Sequence, residues 1–410
     1  MTIQHEESST AAAVLRAAMV DELRELGAVR DPRVARALAV VPRHLFAPGA
    51  DLAAAYAATG TVVPVRDAVG RMVSTVSAPH IQAMMLEQAR VAPGMRVLEV
   101  GSAGYNAALL AELVGETGEV TTVDILPGVA ERARRCLDAA GYGRVRVVLA
   151  DAEGGVPDHA PYDLVLVTTA VRDIPSAWTD QLAPGGRLVV PLRLRGQTRS
   201  VVFEADGGRL VGHDAQVCSF VPLAGAGAFP EQVLALDGDD VVVRLDDAAP
   251  VDVDEVRQAL TWPRVKTWSG VHSGEEPFDD LLLWLAVGLE NSGLLLARQA
   301  AVTRGTVAHA WSLGMPAVVG KGSLAYFSLS AKVPGRVSRE FGVQAQGPAA
   351  ELLTSQFIER IRAWKADRPA RIEAFPAGTP DAALPAGGVF LDRPHRRVVV
   401  SWPSGPEVPV

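Results

Sequence analysis

Short apolar runs rich in β-branched residues alternate with helical patterns between residues 97 and 221. The predicted strands are RVLEV, GEVTTVD, VRVVLAD, YDLVLVTT and GRLVVPL, with AALLAELVG, PGVAERARRCLDAAG and IPSAWTDQL as helices among them. Strands that are apolar on both faces and alternate with helices are typical of a parallel sheet covered on both sides. Two further strand-like runs, SVVFEADGGRLVG and AQVCSFVPL, follow without a helix between them. We therefore expect the sheet to end in an antiparallel pair.

The pattern changes on both sides of this region. Residues 11–95 are mostly helical in pattern, and after about residue 225 the sequence AGAGAFPEQ interrupts the alternation. Six of the seven tryptophans lie beyond that point, together with one amphipathic helix and the strands WSLGMPAVVG, SLAYFSLS and RRVVVSWP. In that helix, Leu353, Phe357, Ile361 and Trp364 share one face. We predict a flexible segment at 1–17, a first domain at 18–225 and an α+β module at 226–410.

Composition narrows the functional classes. Nearly half of the 410 residues are hydrophobic and 21% are charged, and the net charge of −8 does not suggest a nucleic-acid surface. Cys136 and Cys218 are too few and too far apart for a disulfide framework or a metal cluster. The first ten residues lack a signal-peptide pattern, and the longest apolar run, LLLWLAVGL, is too short to span a bilayer. We expect a cytoplasmic protein, favoured as a monomer, with no membrane, nucleic-acid or metal partner.

Polar and glycine residues stand at the carboxyl ends of four predicted strands. In an open α/β sheet these ends meet at one edge, where ligands bind. Glycines there let a ligand approach the backbone, and the helix that follows directs amide groups at it. The predicted ligand contacts are Glu99, Gly101, Ser102 and Gly104 after the first strand, Asp124 and Ile125 after the second, Asp151 and Ala152 after the third, and Thr168 after the fourth.

A nicotinamide cofactor is one interpretation of these strand ends. However, the turn is not G-x-G-x-x-G, and Glu99 lies two residues before the first glycine, where a pyrophosphate is disfavoured. Asp124 is placed to accept hydrogen bonds from both ribose hydroxyls, and Asp151 to contact an adenine amino group. Glu99 suits a cationic amino-acid end. These groups together favour S-adenosylmethionine, although ordinary strand-end capping would explain any one of the residues alone.

Five segments between residues 18 and 225 carry a family likeness. They are VPRHLFAP, STVSAPHIQAMMLEQ, RVLEVGSAGYNAALLAEL, PYDLVLVTTA and APGGRLVVPL, and in this order they resemble the protein-L-isoaspartate O-methyltransferases. The resemblance implies a class I methyltransferase Rossmann-like fold, α/β and doubly wound, with S-adenosylmethionine as cofactor. It implies a catalytic role for Ser77 in the segment VSAP. We expect neighbouring Ser74, Thr75 and Val76 to lie beside the substrate, with loop capping as an equal alternative for Ser74 and Thr75. Asn106 is also assigned to the cofactor, with helix capping and packing as the alternative.

Two departures from the family resemble one bacterial branch. The glycine turn is one residue shorter than E-x-G-x-G-x-G, and nearly two hundred residues follow the first domain. Both features are similar to enzymes that mature ribosomally made lanthipeptides, lasso peptides and graspetides, especially the FxLD-system methyltransferases. That likeness implies methylation of an aspartate in a cyclised precursor peptide, closing to an aspartimide and then opening to aspartate or isoaspartate. The alternatives are repair of L-isoaspartyl residues in aged proteins, and a non-catalytic cofactor-bound module in a peptide-maturation complex.

Two histidines lie in basic segments. We expect His44, in VPRHLF, to pack or hydrogen-bond rather than to act as a catalytic base. His395 belongs to a basic cluster with Arg393, Arg396 and Arg397. Most such clusters are solvated surface, but this one could attract an acidic peptide.

Overall fold

A mostly helical cap forms the first part of the fold, as the pattern predicts. The computed structural model describes residues 2–66, 72–101, 103–274, 277–311, 313–330 and 338–403. Asp31 caps one helix by accepting a hydrogen bond from the Arg33 N–H at 2.7 Å, and Pro32 occupies its first turn. The cap contains α1 (Thr2–Glu25), α2 (Pro32–Val40), α3 (Leu52–Tyr56), a hairpin of β1 (Val62–Arg66) and β2 (Met72–Val76), and α4 (Pro79–Ala89).

The predicted parallel sheet is confirmed. Val97, Leu98 and Val100 on its central strand are fully buried because helices cover both faces. The strand order is β7-β6-β3-β4-β5, so β4 and β5 lie on one side of β3 and β6 and β7 lie on the other. A crevice opens at the carboxyl ends of the strands where the order reverses. The elements are β3 (Arg96–Val100), α5 (Tyr105–Val114), β4 (Glu119–Asp124), α6 (Pro127–Ala139), β5 (Arg146–Leu149), β6 (Tyr162–Val167), α7 (Ser176–Asp180) and β7 (Leu182–Leu194).

An antiparallel end to this sheet is also confirmed, with different strand boundaries. β8 (Gln197–Asp206) pairs with β7 and with β9 (Arg209–Val217). The run SVVFEADGGRLVG is not one strand, because Gly207 (φ 56°) and Gly208 (φ 86°) turn the chain within it. The end of AQVCSFVPL leaves the sheet: Val221 accepts a hydrogen bond from the Ala170 N–H at 2.8 Å, beyond β6. This places the segment at the ligand edge of the sheet.

A second, seven-stranded sheet follows, and it is antiparallel throughout. Its order is β10-β11-β13-β14-β15-β16-β12. The predicted helix forms, and Leu353, Phe357 and Ile361 are buried on its inner face. The elements are β10 (Gln232–Asp237), β11 (Val241–Leu245), α8 (Val253–Ala259), β12 (Val265–His272), α9 (Asp279–Gly288), β13 (Ser292–Ala297), α10 (Gln299–Thr303), β14 (Met315–Gly320), β15 (Ser323–Leu329), β16 (Glu340–Gln346) and α11 (Ala350–Ala363).

The last described strands return to the first sheet. They are β17 (Arg371–Pro376), β18 (Val389–Asp392) and β19 (Arg396–Ser401). β17 pairs with β9 through Glu373 and Ala374, which extends the main sheet to ten strands. The apolar faces of these strands join the core around β6 and β7. The division at residue 225 did not anticipate this return, and the domain boundaries stay a prediction.

The two sheets meet at the carboxyl end of β7. The Arg195 guanidinium donates to the Val287 carbonyl at 2.8 Å, and Gly196 packs against Leu294. Arg199 donates to the Asp279 carbonyl at 2.7 Å, at the start of α9. The second sheet therefore sits beside the edge that carries the crevice.

Membrane and metal features are absent from the part of the chain described. No helix within it is long and apolar enough to cross a membrane. Within the same ranges, no group of three or more His, Cys, Asp or Glu residues is arranged to hold a metal ion. Cys136 and Cys218 are buried free thiols.

Candidate active site

The turn after β3 can be built only with glycine at two positions. Gly101 has φ 89° and Gly104 has φ 85°, conformations that L side chains rarely adopt. A Cβ at Gly101 would lie 2.9 Å from the Thr168 hydroxyl, which itself donates to the Gly101 carbonyl at 2.9 Å. A Cβ at Gly104 would lie 3.1 Å from the Phe46 ring, so this glycine permits packing against the cap. Ser102, predicted to contact the cofactor, lies outside the described residues.

Glu99 is a buried carboxyl beneath this turn. It is 1% exposed and accepts a hydrogen bond from the Thr122 hydroxyl at 2.6 Å. Burial raises the pKa of Glu99 to about 7, against the opposing effect of that hydrogen bond. Asn106 lies beside it, and its Nδ2 atom is buried without a hydrogen bond of good geometry in the described chain. A ligand cation near this carboxyl would stabilise its charged form.

Asp124 stands at the end of β4, on the same side of the crevice as Glu99. Its Oδ1 atom accepts a hydrogen bond from the Leu126 N–H at 2.9 Å, which fixes the carboxylate at the strand end. Ile125, the next residue, is half-buried. The two acids arrive together because β3 and β4 are parallel neighbours, with Val100 paired to Val123.

Asp151 lies one strand further, just after β5. Its Oδ1 atom accepts from the Glu153 N–H at 3.0 Å, and its Oδ2 atom accepts from the Ala226 N–H at 2.7 Å. Ala152 is buried, and its carbonyl accepts from the Trp178 indole N–H at 2.7 Å. Asp151, Ala152 and Ile125 form a second group, separate from the pocket lining around Glu99 and Asp124.

Ser77 reaches the same pocket from the cap. It lies between β2 and α4, immediately ahead of the helix N-terminus. Val76 beside it is fully buried in the hydrophobic core, so its side chain is directed away from the pocket. The pocket is lined by Val73, Ser74, Thr75, Ser77, Gln82, Met85, Glu99, Gly101, Ala103, Asn106, Asp124, Thr168, Thr169, Phe220 and Val221.

Arg43 holds the Ser77 segment, and the sequence patterns did not single it out. Its guanidinium is fully buried and donates to the Ser77 carbonyl at 2.8 Å and the Val76 carbonyl at 3.3 Å. It also donates to the Ala55 carbonyl at 2.7 Å and the Gln82 side chain at 2.8 Å. Arg43 lies in the segment VPRHLF, where His44 and not Arg43 has the residue type expected of a catalytic base.

His44 has the structural role expected of it. Its Nδ1 atom lies 2.8 Å from the Tyr56 hydroxyl, and burial lowers its pKa. A second cation missed in the sequence, Arg132 on α6, donates to the Ser74 hydroxyl at 2.9 Å. Burial lowers the pKa of Arg132, and its Nε atom is buried without a hydrogen-bond partner in the described chain. Arg132 therefore brings positive charge to the side of the pocket that Ser74 lines.

A family match covers this entire site. Residues 15–228 match the family described as "Protein-L-isoaspartate(D-aspartate) O-methyltransferase (PCMT)". A protein-L-isoaspartate O-methyltransferase of Hyperthermus butylicus is 42% identical over 220 residues, which cover 51% of this chain and 88% of the relative. That of Methanopyrus kandleri is 41% identical over 219 residues, covering 53% of this chain and 94% of the relative. The chain belongs to the protein-L-isoaspartate(D-aspartate) O-methyltransferase family. It is an S-adenosylmethionine-dependent carboxyl O-methyltransferase, which confirms the predicted enzyme class and cofactor.

A solved structure shows the same fold over a longer stretch. A chain titled protein-L-isoaspartate O-methyltransferase covers 87% of this methyltransferase and 96% of its own length, with a TM-score of 0.50 and 23% identity. The class I methyltransferase fold is thus confirmed. The coverage extends past residue 228, so the shared fold includes strands beyond the family match.

The donor set fits the cofactor of this methyltransferase. Two carboxyls face one pocket, at the ends of adjacent strands, and an unpartnered amide nitrogen of Asn106 lies beside Glu99. Carboxyl oxygens accept hydrogen bonds from ammonium and hydroxyl groups. S-adenosylmethionine carries an ammonium group at its methionine end and hydroxyl groups on its ribose. The pocket therefore presents hydrogen-bonding groups that match those of S-adenosylmethionine.

The basic cluster near residue 395 is neither solvated surface nor a free docking site. Arg393 pairs with Asp247 at 2.6 Å and donates to the Arg172 carbonyl. Arg396 is 7% exposed and donates to the Thr179 hydroxyl at 2.7 Å. Arg397 pairs with Asp381 at 2.6 Å and with Asp392 at 2.5 Å, and His395 with Glu153 at 2.8 Å. Internal partners thus engage all four side chains, because β18 and β19 pack back onto the first sheet.

Proposed function

We propose that this methyltransferase acts on the free α-carboxylate of L-isoaspartyl residues in proteins or peptides. The observation that carries the proposal is the meeting of Ser77, Glu99 and Asp124 around one pocket, at the N-terminus of α4. The relatives from Hyperthermus butylicus and Methanopyrus kandleri, which bear the isoaspartyl name, support it. Both align over nearly their whole length, so their shared part contains this pocket.

We assign the cofactor contacts by their position along the strand ends. Glu99 would accept from the ammonium group of S-adenosylmethionine, the Asn106 amide N–H would donate to the carboxylate at the same end, and Asp124 would accept from the ribose hydroxyls. Asp151 would accept from the adenine amino group, between Ile125 and Ala152. Gly101, Ser102, Gly104 and Thr168 would form the turn on which the cofactor lies.

Methyl transfer to a carboxylate is a problem of positioning. When bound, S-adenosylmethionine supplies a methyl group on a sulfonium sulfur, and a carboxylate is already ionised at neutral pH. Ser77 orients that carboxylate by donating a hydrogen bond, and the positive end of α4 stabilises its charge. Ser74, Thr75 and the Val76 backbone frame it, while Arg132 holds Ser74 in place. Phe220 closes the wall of the pocket and excludes water.

The ester is a short-lived product. The backbone nitrogen of the following residue attacks the ester carbonyl and forms a five-membered imide. Methanol leaves with the proton released from that nitrogen, and it leaves more readily than hydroxide would from a free acid. Addition of water to the imide then gives aspartate or isoaspartate.

We expect the protein and S-adenosylmethionine to methylate a short isoaspartyl peptide, and to leave the same peptide with an ordinary aspartate unmodified. The additional methylene of the isoaspartyl backbone moves the carboxylate relative to Ser77, so one of the two peptides fits the pocket better. Mass spectrometry would show the gain of one methylene group and then loss of methanol. Methylation of the aspartyl peptide alone would contradict the proposal.

An aspartate of a cyclised ribosomal peptide is the second candidate substrate. The shortened glycine turn and the second sheet beside the pocket favour it. In that function the product is an aspartimide, and the second sheet recognises the precursor peptide. Turnover of a cyclised aspartyl peptide, with none of the isoaspartyl peptide, would establish this candidate in place of the first.

Ser77→Ala should lower kcat for the isoaspartyl peptide by about 10²-fold, because a positioned hydrogen-bond donor is lost at the reacting carboxylate. The dissociation constant of S-adenosylmethionine, measured by calorimetry, should stay within twofold. Glu116→Gln, at an exposed position in the turn after α5 and outside the pocket lining, is the control and should leave both values unchanged. An unaltered kcat in Ser77→Ala would remove Ser77 from the mechanism.

A further inference from the structure

The loop after β5 is held in place by two distant parts of the chain. This loop begins at Asp151 and makes a single 3-10 turn, Ala152–Gly154, so it has little stability of its own. One Asp151 oxygen accepts from Glu153 N–H within the loop, and the other accepts from Ala226 N–H, 75 residues along the chain. The orientation of the carboxylate thus depends on both donors.

The first distant part is residues 224–228, which we call the strap. Gly225 has φ 86°, and a Cβ there would lie 2.4 Å from Asp151 Oδ2 and 2.8 Å from the Ile125 side chain. A Cβ at Gly227 would lie 2.5 Å from Glu153 Oε2. The strap backbone therefore rests directly on the residues assigned to the adenosine end, and only glycine allows that approach.

The second distant part is the turn between β18 and β19. His395 Nε2–H donates to Glu153 Oε1 at 2.8 Å, across 242 residues of sequence. The His395 backbone N–H donates to Asp173 Oδ2 at 2.6 Å, in the loop after β6. Both side chains of the His395–Glu153 pair are partly shielded, at 35% and 24% exposure. The C-terminal turn thus joins the loops that follow β5 and β6.

We propose that His395 is a positioning residue for the adenosine end of S-adenosylmethionine. His395 fixes Glu153, whose N–H is one of the two donors that orient Asp151. An oriented Asp151 has no rotamer freedom left to lose when it accepts from the adenine amino group, so the cofactor binds more tightly. The inference rests on the assignment of Asp151 made in the proposed function, and is independent of the peptide substrate.

The test is binding of S-adenosylmethionine and of 5′-methylthioadenosine, which lacks the amino-acid end, measured by calorimetry without peptide. His395→Ala should raise both dissociation constants by about tenfold, because a hydrogen bond to a charged group is lost. His395→Gln retains an N–H donor and should recover most of the affinity. Arg397→Ala is the matched control, since Arg397 lies on the same hairpin and bonds Thr379, Asp381 and Asp392. It should change neither constant by more than twofold.

Asp151→Asn separates this inference from the assignment beneath it. Asp151→Asn should weaken the binding of both ligands. The double variant with His395→Ala should bind them no more weakly than Asp151→Asn alone, because the two residues act in one chain of contacts. If Asp151→Asn weakens binding and His395→Ala does not, the role of His395 is wrong and the assignment stands. If Asp151→Asn has no effect, both are wrong. A loss in His395→Ala for S-adenosylmethionine but not for 5′-methylthioadenosine would also overturn the inference.

Discussion

Replacing Arg43 by glutamine should lower kcat for methyl transfer by about 10²-fold, because small displacements of a positioned group cost that much. Arg43 donates to the Ser77 and Val76 carbonyls and to Gln82, so it sets the position of the segment that faces the substrate. Glutamine has one amide group and cannot satisfy these acceptors together. We also expect the free energy of unfolding to fall by about 3 kcal/mol, since buried carbonyls lose their donors. Steady-state kinetics and urea unfolding would measure the two effects.

Two variants distinguish positioning by Arg43 from loss of the fold. Leu45→Ala changes an exposed side chain on the short 3-10 helix Arg43–Phe46, which also carries Arg43, and should cost less than about 0.5 kcal/mol, with kcat unchanged. Arg43→Lys keeps the positive charge but not the planar guanidinium with its several N–H donors. It should recover part of the free energy of unfolding lost in Arg43→Gln and a smaller part of the lost kcat. If Arg43→Gln, held folded well below its midpoint of unfolding, retained full kcat, then Arg43 would have no part in placing Ser77.

Glu99→Gln should remove a pH dependence from cofactor binding. Burial raises the pKa of Glu99 to about 7, and the ammonium end of S-adenosylmethionine favours its ionised form. The dissociation constant of the unaltered protein should therefore rise by about tenfold for each pH unit below 7, and level off above it. In Glu99→Gln it should be flat through this range and weaker by about tenfold at pH 8. Calorimetry across roughly pH 5.5 to 8.5 would show both effects.

The Glu99 carboxyl also makes the free energy of unfolding depend on pH. This stability falls as the pH rises, whereas cofactor binding strengthens. The folded pKa of Glu99, about 7, lies above the ordinary 4.5, so protonation stabilises the folded, cofactor-free protein. This contribution is fully present below the ordinary pKa and is lost as the pH rises through the folded value, a difference of about 3 kcal/mol. Glu99→Gln should abolish that part of the slope, while Glu116→Gln, an exposed control, should not. An unchanged slope in Glu99→Gln would show that Glu99 is ionised throughout.

Much of the first domain was predictable because its signals are local. Strands β3, β4 and β6 bury both faces, so consecutive apolar residues mark them without knowledge of their partners. Glu99 and Asp124 follow from the same pattern, since parallel strands bring their carboxyl ends to one edge. Where a local signal was ambiguous, the prediction was less accurate: the double glycine within SVVFEADGGRLVG was included in a strand although it forms the turn.

Other parts of the site depend on pairings that no local pattern encodes. Arg43 reaches Ser77 across 34 residues, and a buried arginine has the same appearance in the sequence as an exposed one. The cluster around His395 was expected to be surface or a peptide site because its partners, Glu153 and Asp247, are distant in sequence. The pairing of β17 with β9 was also hidden, since the sequence of a strand does not identify the distant strand beside which it will lie.

The sequence by itself determined the parallel core, the acids at its strand ends, the glycine turn and the family likeness that named the cofactor. Those features follow from local backbone preferences and from the pattern of buried positions, which repeats with a fixed period in each helix and strand. Only the tertiary structure decided that Arg43 holds the Ser77 segment, that Val76 is directed into the core, and that the C-terminal turn braces the Asp151 loop. These contacts join residues that are distant in the sequence, so they depend on the assembled tertiary structure and not on any one segment.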